Sequence, residues 1–126
     1  MIVLDASALI AFLDPSDALH SAAVSCLLAL GSHRLLLSPI THAEILVGPA
    51  RAGTLAATEA ALDTLGIGEV ALPPDAAPRL AELRVQSGLK LPDCCVILAA
   101  QQSRCAVLSF ADRLVAAAGE LGLPSG

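Results

Sequence analysis

Short apolar runs without alternation recur along this chain, each followed by a stretch whose apolar residues return every three or four positions. Ile2, Val3 and Leu4 form the first run and stop on Asp5; Leu35, Leu36 and Leu37 form another and stop on Ser38 and Pro39; Ala106, Val107 and Leu108 form the last. Runs of this kind read as strands buried on both faces, and such strands belong to parallel sheets covered by helices. The stretches between them predict helices over residues 7–13, 18–30, from Pro39 onward, 54–65, 76–87, 92–103 and 111–121, and a fourth short strand over 69–72. Pro15, Gly31 and Gly88 punctuate these helices at their ends, while Ser38-Pro39 and Pro92 mark starts. Strands alternating with helices mean βαβ units. Residues 1–126 therefore read as a single α/β domain: a parallel sheet of four or five strands, the first near its centre, with helices on both faces.

Composition narrows the classes of function. The chain has 126 residues, enough for one domain with a real core. Its mean hydropathy of +0.75 comes from Ala and Leu, and no apolar stretch approaches the roughly 18 residues of a membrane span. With no basic stretch ahead of the first strand, the expected location is the cytoplasm. Cys26, Cys94, Cys95 and Cys105 lack the spacing of a zinc or redox site and read as reduced core residues. A net charge of −5 argues against gripping nucleic acid by bulk positive charge, and Phe12 and Phe110, the only aromatics, offer no platform for stacking bases. A nucleic-acid partner would have to be held through a few cations, among them Arg51, Arg79, Arg84, Lys90 and Arg104, and through metal. His20, His33 and His42 have no second ligand at useful spacing and read as surface or capping residues.

Three acids stand where solubilising charges are not expected. Asp5 ends the first strand, and in open α/β sheets ligands bind beyond the carboxyl ends of strands; the competing reading is that it caps the following helix. Glu44 lies one helical turn from Ile40 and Val47 with Ala43 beside it, which puts it on an apolar stripe, where a carboxylate is costly unless paired, with Arg51 for instance, or bound to metal. Asp93 follows Pro92 at a helix start, where the dipole favours an anion, yet it points with Val96, Ile97 and Ala100 toward the sheet. Together the three suggest one pocket of oxygen ligands of the kind Mg²⁺ or Mn²⁺ requires. No Gly-rich phosphate loop, GxSxG elbow or zinc-deaminase signature competes.

Four segments carry a resemblance: Val3 Leu4 Asp5 Ala6 Ser7; Ser38 Pro39 Ile40 Thr41 His42 Ala43 Glu44 Ile45 Leu46; Leu91 Pro92 Asp93 with Ile97 Leu98 Ala99 Ala100; and Val107 Leu108 Ser109 Phe110 Ala111 Asp112 Arg113 Leu114. In this order and spacing the chain resembles the PIN-domain ribonucleases of the VapC toxin family, from type II toxin–antitoxin pairs. The resemblance implies a Rossmann-like sheet, acids holding Mg²⁺ or Mn²⁺, hydrolysis of RNA phosphodiester bonds, a cognate antitoxin that blocks the site, and a homodimer. Asp5, Glu44 and Asp93 take the places of the family's acids, and Ser7 that of a hydroxyl beside the first. Aligning Ser109 with the family's Thr or Ser puts Ala111 where the fourth acid stands and Asp112 one residue late. With Ser109 as N-cap, Asp112 would occupy the third helical position and act on the metal through water. Two other readings stay open: a catalytically inactive PIN domain serving as a binding module, and a phospho-acceptor built on Asp5. The second lacks the acidic pair and late lysine it would want, since Lys90 is the only lysine.

Overall fold

The structure is a computed structural model that describes residues 1–124. Its elements run β1 (Ile2–Leu4), α1 (Ala6–Leu13), α2 (His20–Leu30), β2 (Leu35–Leu37), α3 (Pro39–Ala52), α4 (Leu55–Thr64), β3 (Gly68–Glu69), α5 (Ala76–Ser87), α6 (Leu91–Ser103), β4 (Ala106–Leu108) and α7 (Asp112–Glu120). The described sheet has four strands in the order β3-β2-β1-β4, every pairing parallel, with Ile2 opposite both Leu35 and Ala106. Parallel neighbours cannot be joined by tight turns, so each crossover carries helix, as the alternating pattern predicted. The sheet is α/β and its first strand is internal, as expected.

Successive side chains of β1 serve opposite cores, which is why the run shows no polar alternation. Val3 packs with α5, α6 and α7 through Leu83, Val96, Ile97, Leu98 and Leu114, whereas Ile2 and Leu4 pack with Leu9 of α1, Ile45 of α3 and Leu62 of α4. Helix α6 is sunk deepest: Cys94 through Ala100 are buried without interruption, and Ile97 and Leu98 each stabilise the fold by roughly 1.5–3 kcal/mol through burial. Among the described residues no helix is long and apolar enough to cross a membrane. The four cysteines are free; burial pushes the thiols of Cys94, Cys95 and Cys105 up.

Several expectations need correction. The strand expected over 69–72 is Gly68–Glu69: its partner β2 ends at Leu37, and only Val70 N–H still reaches across, donating to Leu37 O at 2.8 Å. The second helix begins at His20 and not at 18, because Asp17 accepts from Leu19 N and holds the chain in a turn. His20 is no free surface group; its Nδ1 lies 2.9 Å from Ala11 O and ties α2 to α1. His42 is half-buried and bridges elements, with Nε2 2.6 Å from Glu59 of α4 and Nδ1 3.9 Å from Glu69 of β3.

Candidate metal centre

Three junctions bring acids to the carboxyl end of the sheet. Asp5 follows β1 directly and both competing readings of it hold at once: its Oδ1 accepts from Ala8 N at 3.1 Å and caps α1, while the side chain faces the acid cluster. It is 4% exposed, so its carboxylate needs partners. Ser7 Oγ donates to Oδ1 at 2.6 Å and Ser109 Oγ donates to Oδ2 at 2.7 Å. Each hydroxyl also accepts a backbone N–H from the turn after β4, Ser7 from Phe110 at 3.0 Å and Ser109 from Ala111 at 2.9 Å. Two hydroxyls thus fasten the strand end that carries Asp5 to the turn that launches α7.

Ser38 caps α3 through Thr41 N at 3.1 Å, with Pro39 in the first turn, and two turns of helix then carry Glu44 to the cluster. The buried positions of α3 are Thr41 and Ile45, so Glu44 does not sit on the core face as the stripe of Ile40 and Val47 had suggested. Those two residues are themselves exposed, and Glu44 stands with them on the outer flank. It has no ion pair with Arg51 among the described residues. Its carboxyl is nevertheless held above the ordinary range, first by partial desolvation and then by the negative charges of Asp93 and Asp5. Asp93, in the first turn of α6, is raised by desolvation and by Asp5, and partly relieved by Lys90 and Arg113.

Asp112 departs from expectation. Helix α7 is capped by Ala111, so Asp112 is its first residue and not its third. Ser109, expected to cap that helix, is turned to Asp5 instead. Asp112 is exposed, and it is not among the charges acting on Glu44 or Asp93. The structure therefore brings together Asp5, Glu44 and Asp93 and leaves Asp112 outside that group.

No three of these groups close to chelating distance among the described residues. The donor set still fits a divalent cation in one respect: the charge of Asp5 raises both Glu44 and Asp93, that of Asp93 raises Glu44 further, and no cation lies within ion-pair distance of any of the three among the described residues. A hard, hydrated ion such as Mg²⁺ keeps several waters and needs one or two carboxylates directly.

Sequence reasoning missed Ser109 as a partner of Asp5 and Arg113 as a cation beside Asp93. The available signal for the first was a hydroxyl directly after a strand that pairs with β1.

In structure the chain is similar to a toxin–antitoxin complex from Klebsiella pneumoniae, with 27% identity over 86% of this chain and 85% of that one and a TM-score of 0.72. It shares its fold with VapC20 from Mycobacterium tuberculosis, a toxin described as cleaving the sarcin–ricin loop, at 20% identity over 98% and 97% of the two chains and a TM-score of 0.70. The same holds for FitAcB from Neisseria gonorrhoeae, at 21% identity over 94% of each chain and a TM-score of 0.70. No curated protein matches at the level of sequence. Residues 2–120 match the profile of the PIN domain, and with that match spanning nearly the whole chain, this protein belongs to the PIN domain family.

Proposed function

We propose that this chain is a divalent-metal-dependent endoribonuclease, the toxin of a toxin–antitoxin pair, acting in the cytoplasm. The observation that supports it most is the grouping of Asp5, Glu44 and Asp93 beyond the carboxyl end of a parallel sheet with no cation at ion-pair distance among the described residues. Asp5 and Asp93 would hold the ion with Glu44 beside them, directly or through water, and Asp112 would act on it through water. Such an ion would supply an acidified water and neutralise charge on the scissile phosphate. Mg²⁺ and Mn²⁺ both suit these oxygens. Ser7 and Ser109 hold the Asp5 carboxylate in one orientation, and no side-chain nucleophile is required.

Two grooves fit the expected partners. One, of about 510 Å³, has an apolar floor of Ile10, Leu13, Ile45 and Pro49 with Asp14 and Glu44 at its wall; it suits an antitoxin segment that is apolar with a basic side chain reaching the acids. The other, of about 470 Å³, is lined by Ile40, Leu72, Leu80, Leu91 and Pro92, and a second copy of this chain would cover it in a homodimer.

The test is RNA cleavage by purified protein with Mg²⁺ or Mn²⁺, with chelator, and after substitution. Asp5→Asn or Asp93→Asn is expected to abolish cleavage, and Asp112→Asn to weaken it about 10- to 100-fold, the loss usual when a group acts on a metal through an intermediary. An Asp5→Asn protein as active as the parent would refute the assignment. The position of Asp112 favours one second reading, a PIN domain that binds without cutting; a parent protein that takes up no Mn²⁺ and leaves RNA intact would establish it.

A further inference from the structure

The protein carries seven lysines and arginines against twelve acids, yet three of the seven surround one turn beside the acid cluster. Arg84, in the last turn of α5, donates from Nη1 to Leu89 O at 2.6 Å. Arg113, in the first turn of α7, donates from Nη2 to Gly88 O at 3.4 Å. Lys90 is the N-cap residue of α6, three positions before Asp93. Two guanidinium groups from different helices are thus anchored on successive carbonyls of the α5–α6 turn, and an ammonium stands next to them. All three residues are exposed, and among the described residues none has a carboxylate within 4.0 Å.

Helix-end stabilisation accounts for Arg84 alone, since a cation is favoured in the last turn of a helix. It does not account for Arg113, which begins a helix, where a cation is disfavoured, or for Lys90, which precedes one. Lys90 caps the helix whose first turn carries Asp93, and Arg113 is tied to Gly88, two residues before Lys90, so both lie beside Asp93. The remaining cations are elsewhere: Arg79 lies 3.9 Å from Asp75, Arg51 is at the far end of α3, and Arg34 and Arg104 precede β2 and β4 at the opposite, amino end of the sheet. The groove that Glu44 shares with Ile10, Leu13 and Asp14 is lined by no lysine or arginine. The clustered positive charge therefore lies on the Asp93 side of the acids.

We propose that Arg84, Lys90 and Arg113 form a phosphate-binding subsite that holds the RNA backbone next to the scissile phosphate, on the Asp93 side of the cleft. The proposal rests on the ribonuclease reading. A guanidinium anchored by one N–H keeps the rest of its five donors for phosphate oxygens and loses little freedom on binding. Contacts of this kind carry no sequence information, so the subsite sets affinity and strand direction and leaves base choice to other contacts.

The test is binding of a fluorescein-labelled mixed-sequence single-stranded RNA to the full chain in EDTA, by anisotropy over a range of salt, with cleavage by the metal-loaded parent measured in parallel. Each phosphate contact contributes about 0.7 to the slope of log affinity against log salt. Lys90→Gln and Arg113→Gln should each reduce that slope by about 0.7 and weaken binding roughly tenfold at low salt, with unchanged thermal stability. Arg34→Gln should bind like the parent. If the parent cleaves RNA while Lys90→Gln and Arg113→Gln keep its affinity and slope, the subsite is wrong and the ribonuclease reading survives. If the parent neither binds nor cleaves RNA, that reading falls and the subsite falls with it.

Discussion

Asp5 satisfies both of its carboxylate oxygens with hydroxyls, and one of those hydroxyls can be removed without touching the charge. Ser109→Ala leaves Asp5 Oδ2 and Ala111 N–H without the partner they now share; Mn²⁺ affinity measured by calorimetry should fall about 10- to 100-fold, and Ser109→Thr should restore it. Equal losses in the Ala and Thr variants would mean that the hydroxyl does not position Asp5. Glu44 permits a test by stability. Its carboxyl titrates above its ordinary value of 4.5 in the folded chain, so between that value and the raised one the folded state holds a proton the unfolded chain has lost. Folding is thereby weakened as pH climbs through this window, and the full penalty persists above it. Glu44→Gln removes the penalty: in EDTA at neutral pH it should stabilise the protein by about 0.2–1 kcal/mol, the range for partly exposed charges, and the gain should vanish below about pH 4. Thermal unfolding across pH measures both, and a Gln variant less stable than the parent at neutral pH would contradict the crowding of charge around Glu44. The acids at 5 and 93 were legible because each sits at a junction of strand or loop with helix. Ser109 was not, because its partner is 104 positions away and a serine before a helix looks like an N-cap.

Helix and strand bounds were readable where one partner decides them and unreadable where two compete. Leu35–Leu37 and Ala106–Leu108 match because each run is wholly apolar and bounded by polar or turn residues. The edge strand β3 is shorter than its apolar run, since pairing lasts only as far as β2 lasts. On α3 the core face carries Thr41 beside Ile45, and a count of apolar residues settles on Ile40 and Val47 instead. Helix α6 shows no stripe because it is buried all round. Its end holds an avoidable strain: Arg104 adopts φ 52 and ψ 48, a left-handed conformation that costs an L-residue about 1–2 kcal/mol. Arg104→Gly should raise the urea midpoint by an amount equal to about 0.5–1 kcal/mol after the greater freedom of glycine in the unfolded chain is subtracted. A lowered midpoint would show that the arginine side chain makes a compensating contact.

The whole molecule presents two faces with different duties: helices α1 to α4 build one core and α5 to α7 the other, and the acids lie where the two meet above the sheet. The groove with Ile40 and Leu91 at its edge opens beside that meeting point. If a second copy covers it, Ile40→Asp together with Leu91→Asp should shift the protein from dimer to monomer in sedimentation at micromolar concentration while leaving its helix content intact. A parent that sediments as a monomer would remove the dimer from the proposal. The order β3-β2-β1-β4 has one more consequence, and it concerns synthesis. Strand β1 leaves the ribosome long before β4, yet Ile2 needs Ala106 beside it and Asp5 needs the hydroxyl of Ser109. A half-made chain therefore has the first acid but not the strand and serine that orient it. The first acid thus takes its final orientation only after β4 and Ser109 have been made, so the site is completed late in synthesis, by residues far from those that began it.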